Sequence, residues 1–179
     1  MRRAGTSWWV VLSLFSPWSA HAAEPAESAG ARAFKRLGAL VGTWEGTFSN
    51  GKVHRVTYRL SAVNSVLVET WALGPERESL TLYHLDGDTL VADHYCPQGN
   101  TPRLELAKRA DTDALSFVFR DGTNLKVKGK SHQHAFWVRL DGPDAFARGE
   151  TYVENGSTPL QLAKAGPGEA VTYRRVATP

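Results

Sequence analysis

The side chains best placed for chemistry are two histidines one residue apart, in the run Ser131-His132-Gln133-His134-Ala135-Phe136. On an extended strand His132 and His134 project to one face, shared with Phe136, Val138 and Leu140. That apolar company makes the face an interior one, so both imidazoles are expected to reach any space the fold encloses. They would bind zinc if His84, His94 or a carboxylate supplied a third ligand, since a catalytic zinc takes three protein ligands. Otherwise they are strand histidines with hydrogen-bonded nitrogens. His84 and His94 flank Asp86-Gly87-Asp88 and share a face only if the connecting loop has three residues; a two-residue loop sets them on opposite faces.

Glu69 alternates with Leu67, Trp71 and Leu73, so an inward strand face would bury its carboxyl and raise its pKa, as a general acid or base requires. Cys96 is the only cysteine. No disulfide within the chain is therefore possible, and with no cation or helix N-terminus evident beside it the thiol reads as a small buried filler. The sequence contains no Gly-rich phosphate loop, no Gly-x-Ser-x-Gly elbow and no His-Glu-x-x-His helix. An enzyme would have only Glu69 or a histidine to work with, so the reading favours a binding protein and leaves catalytic residues unassigned.

The first 22 residues carry Arg2-Arg3, an apolar stretch from Trp8 to Trp18, and Ala20-His21-Ala22. This is the three-part pattern of a secretory signal peptide, with cleavage expected before Ala23 and a secreted or periplasmic product. The stretch is shorter than the roughly 20 residues a spanning helix needs, so no membrane span is expected after cleavage. Two of the net +3 charges leave with this segment. The remaining balance is near neutral and argues against a nucleic-acid partner; Lys126, Lys128 and Lys130 alternate with Leu125 and Val127 as the wet face of a hairpin.

Residues 23–31 read as a flexible leader and 32–179 as one domain. Phe34, Leu37, Leu40 and Val41 have helical spacing, which predicts a short helix over Arg32–Val41, and no second helix is apparent. From Gly42 the pattern changes to two-residue alternation broken at Asn50-Gly51, Asp86-Gly87, Asp121-Gly122, Asp141-Gly142-Pro143 and Asn155-Gly156. This predicts an all-β meander of roughly 8–10 short strands. So long a meander must cover its edges, and closing into a single antiparallel up-and-down barrel removes them.

Gly42-Thr43-Trp44, entered from a short helix and followed by Gly46 and Phe48, resembles the opening strand of the calycin superfamily of lipocalins and fatty-acid-binding proteins. The resemblance implies that this strand closes the barrel floor and that a basic residue of the last strand, Arg174 or Arg175, covers the Trp44 ring. The stretch Leu82–Arg103 is similar to uncharacterised bacterial lipocalin-like proteins, which carry no assigned activity. The opening strand also resembles nitrobindin-type haem proteins, but their axial histidine comes from the end of the barrel, and this chain has none after His134.

The function expected is that of an exported lipocalin-like barrel holding a small apolar molecule. Trp44, Tyr58, Phe117, Phe119 and Phe136 would line the cavity, and His94, His132 and His134 would serve its polar end. No cofactor is expected in this reading. The alternatives are a zinc or haem barrel using His132 and His134, or a small enzyme with a Glu/His acid–base pair.

Overall fold

The computed structural model describes residues 26–108, 113–165 and 168–177; the expected signal segment, residues 1–22, lies outside them. Among the described residues a helix, α1 (Ala29–Gly38), leads into β1 (Gly42–Thr47), β2 (Val53–Ser61), β3 (Val66–Gly74), β4 (Arg77–Asp86) and β5 (Thr89–Tyr95). β6 (Thr101–Leu106), β7 (Ala114–Thr123), β8 (Ser131–Leu140) and β9 (Ala145–Glu154) follow, and a short helix, α2 (Pro159–Lys164), precedes β10 (Ala170–Val176). Each strand pairs antiparallel with its neighbours in sequence, and β10 closes on β1 from Thr43↔Val176 to Gly46↔Tyr173. The expected all-β closed barrel with a short leading helix is what the chain forms.

Three segments depart from the expectations. Helix α1 begins inside the segment read as leader because Ser28 caps it, its hydroxyl accepting from the Ala31 amide at 3.1 Å. Gly30 docks that first turn on the barrel: its amide donates to the Asp88 carbonyl at 3.2 Å, and a Cβ there would lie 2.4 Å from that oxygen. Helix α2 was not anticipated because six residues are too few to show a period; its signal is the capping box of Thr158 and Gln161 around Pro159. Asp121-Gly122 is not a turn but the end of β7, opposite Arg103 and Pro102, where a Cβ on Gly122 would meet the Thr101 carbonyl at 2.7 Å. The turn comes later, so Lys126, Lys128 and Lys130 are exposed on a loop rather than along a hairpin.

One end of the barrel is plugged. Trp44, 1 % exposed, donates from its indole to the Leu40 carbonyl at 2.7 Å and meets the Phe146 ring edge-on at 5.1 Å. Register settles which arginine covers it: Arg175 lies directly opposite Trp44, whereas Arg174 faces Glu45. The Arg175 guanidinium stands 4.1 Å from the Trp44 ring centroid and donates to the carbonyls of Ala39, Val41 and Pro143, tying helix, first strand and last turn together. Above this floor Tyr58, Tyr83, Phe117 and Phe136 fill the middle of the barrel; Phe117 and Phe136 stack at 4.5 Å.

Candidate functional site

A cavity of about 370 Å³ occupies the other end, lined by side chains from six strands, by the loop after β5, and by Phe48 and Glu169 just outside β1 and β10. Its apolar wall is Phe48, Trp71, Leu73, Val171 and Tyr173; its polar groups include His54, Ser79, His94, Arg148, Glu150 and Tyr152. Gln98 fixes the loop beside it by a reciprocal pair of hydrogen bonds with Ser131, at 3.0 and 3.1 Å. Cys96, on that loop, is half-buried against the cavity rather than packed as a core filler.

Beneath the cavity lies a charged cluster taken wholly out of water. Arg148 and Glu69 side chains are 1 % and 0 % exposed, with Nη1 2.9 Å from Oε2. Glu69 Oε2 also accepts from the Tyr83 hydroxyl at 2.6 Å, and Oε1 accepts from the Trp71 indole and from Thr81 Oγ1. The sequence expectation of an inward Glu69 with a raised pKa is half right. The residue is inward, and burial does push the carboxyl up, but the Arg148 guanidinium and these hydrogen bonds outweigh it and hold the group below the usual carboxylate range. The same burial and the charge on Glu69 push the Tyr58 and Tyr83 hydroxyls well up.

Arg148 spends its remaining groups unevenly. Nε donates to Glu150 Oε1 at 2.7 Å, the guanidinium stands 4.3 Å from the Phe136 ring centroid, and Nη2 is buried with no hydrogen-bond partner. His94, 3 % exposed, sits between cluster and cavity: Nδ1 is 3.0 Å from Thr81 Oγ1, and Nε2 is 3.5 Å from the Tyr152 hydroxyl. Burial holds its pKa below the ordinary histidine value.

Of the eight residues expected at the site, His94 lines the cavity. Trp44 belongs to the opposite floor, and Tyr58, Phe117 and Phe136 pack as core between the two. Phe119, His132 and His134 form a separate ring cluster, with Phe119 4.9 Å from His132 and 5.5 Å from His134. The reason is a register shift between Gln133 and Ala135 on β8, which breaks the strict alternation the expectation relied on. Gln133 then lies opposite cavity-lining Tyr152 and is fully buried, while His132 Nδ1 bonds Asn155 Oδ1 at 2.9 Å.

His84 and His94 do not share a face. The β4–β5 loop has two residues, with Asp86 opposite Thr89, so His84 turns away and pairs with Asp93 at 3.1 Å. Among the described residues no three His, Cys, Asp or Glu side chains converge as metal ligands.

Sequence reasoning missed Arg148, Glu150, Tyr152 and His54. Phe146, Arg148, Glu150 and Tyr152 alternate along β9, but two charges in that row read as a solvated face, and the small residues Ala145, Ala147 and Gly149 between them do not read as an outer one. His54 carried a usable signal, since it alternates with Val56 and Tyr58.

Fold and site together define a closed ten-stranded antiparallel barrel, plugged at one end and hollow at the other, with a buried ion pair between. Its fold is similar to that in the crystal structure of Rv2717c from M. tuberculosis, at a TM-score of 0.51 and 17 % identity, over 82 % of this chain and 99 % of that one. No family model and no curated protein matches the chain.

Proposed function

We propose that this chain is an exported, lipocalin-like binding protein that holds one small, largely apolar molecule in the barrel cavity. The observation that carries the reading is an open cavity of about 370 Å³ that sets an aromatic and aliphatic wall, Phe48, Trp71, Leu73, Val171 and Tyr173, against polar groups held by hydrogen bonds, His94, Arg148 and Tyr152 among them. Small-molecule sites have this character, at roughly 300–1,000 Å³. The Trp44–Arg175 floor supports the lipocalin-like part of the proposal, and the pattern over residues 1–22 supports export, with a mature chain starting at Ala23. Glu69 is a poor acid or base, since both its oxygens are engaged and it does not line the cavity.

Ser79 is buried in the cavity wall directly opposite Trp71, so Ser79→Trp places an indole in the space a ligand would occupy. It is expected to abolish binding of an apolar probe such as 2-methoxynaphthalene while the chain still unfolds cooperatively. A folded Ser79→Trp variant that binds the probe like the parent would refute the cavity as the site.

A further inference from the structure

We infer, building on that reading of the cavity, that its ligand carries a hydroxyl group, which donates its proton to His94 Nε2.

The proton count along one hydrogen-bond chain fixes what His94 offers. Glu69 is ionised against Arg148 and can only accept. The single Thr81 hydroxyl proton therefore goes to Glu69 Oε1, 3.2 Å away, and Thr81 Oγ1 accepts from His94 Nδ1 across 3.0 Å. A neutral imidazole that donates through Nδ1 keeps a lone pair on Nε2. The Tyr152 hydroxyl, 3.5 Å away, stands at the outer limit of a hydrogen bond and leaves that acceptor weakly engaged. Burial lowers the histidine's pKa and so favours the neutral form this argument needs.

A hydroxyl supplies the proton this acceptor lacks. A carboxylate brings none, and it would meet Glu150 and Glu169 in the cavity wall. Trp71, Tyr173 and Phe48 supply flat walls, so the compound class is a phenol or an aryl alcohol.

Three probes on one ring system separate these cases: 2-naphthol, 2-methoxynaphthalene and 2-naphthoate, each titrated calorimetrically into the purified chain. 2-Naphthol is expected to bind tightest and the ether at least about tenfold more weakly, the scale of one lost hydrogen bond to a buried group. Thr81→Val is close to isosteric, lies outside the cavity wall and frees the imidazole tautomer. It is expected to shrink the naphthol-to-ether ratio while leaving the ether's own affinity in place. In the unsubstituted chain, imidazole ¹⁵N spectra are expected to show His94 protonated on Nδ1 and bare on Nε2.

Equal affinity for naphthol and ether, tighter binding of naphthoate, or a proton on Nε2 would overturn the hydroxyl assignment with the cavity reading intact. Failure of all three probes to bind would remove the cavity reading and the assignment with it.

Discussion

Arg148 Nη1 and Glu69 Oε2 meet at 2.9 Å inside the barrel, although 79 residues separate them in the chain. Removing one partner leaves the other charge buried and uncompensated, which costs about 3–5 kcal/mol. Arg148→Met and Glu69→Leu are each expected to destabilise on that scale, and the double variant by clearly less than their sum, because it leaves no stranded charge. Urea denaturation of the four proteins measures this. Additive losses would show that the pair is not coupled.

Trp44 and Arg175 make the second long-range joint. Trp44→Ala removes a fully buried indole and is expected to cost about 3–5 kcal/mol. Arg175→Ala removes a cation over that ring and the donor to three backbone carbonyls, at about 1–3 kcal/mol. Arg174→Ala, opposite partly exposed Glu45, is expected to stay within about 0.5 kcal/mol of the parent. The same denaturation midpoints decide it; equal losses at Arg174 and Arg175 would contradict the assigned register.

Stability is expected to fall at both ends of the pH scale. Burial outweighed by Arg148 holds Glu69 below its ordinary range, and burial holds His54, His94 and His134 below theirs. These groups bind protons more readily in the unfolded chain, so the stability they contribute is present above their unfolded pKa values and lost as pH falls. Tyr58, Tyr83, Tyr152 and Tyr173 are pushed above their ordinary 10.0 chiefly by burial. They keep their protons longer when folded, so their contribution is present below 10.0 and lost as pH rises past it. The urea midpoint is therefore expected to be flat between roughly pH 7 and 9 and to drop on either side. A midpoint that climbs on acidification from neutral pH would contradict this electrostatic account.

His132 and His134 lie in a ring cluster with Phe119, away from the cavity lining. Replacing both by Ala is expected to leave the calorimetric affinity for 2-naphthol unchanged. The loss of the His132–Asn155 hydrogen bond should lower stability by about 1 kcal/mol. A large fall in probe affinity in a folded double variant would place these histidines in the site after all.

The barrel was legible because its signals are local: alternation, turn dipeptides and the Gly42-Thr43-Trp44 entry survive reading one segment at a time. The site was not, for two physical reasons. A single extra residue at the β8 irregularity redirects His132, Gln133 and His134, and nothing in Ser-His-Gln-His-Ala announces it. Arg148 is buried only because Glu69 arrives from a strand far away in sequence, and alternation reads a lone charge as solvated. Glu69 could be flagged by its apolar neighbours; its partner, and hence the sign of its pKa shift, could not.

The most direct measurement of the central claim is a two-dimensional ¹H–¹⁵N NMR titration of the chain with 2-naphthol. It should follow the Trp71 and Trp44 indole resonances together with the histidine imidazoles. Saturable shifts are expected at Trp71, His54 and His94, which line the cavity, with Trp44, His132 and His134 unmoved. Shifts confined to His132 and His134, or none at saturating probe, would contradict the assignment of this cavity as a small-molecule site.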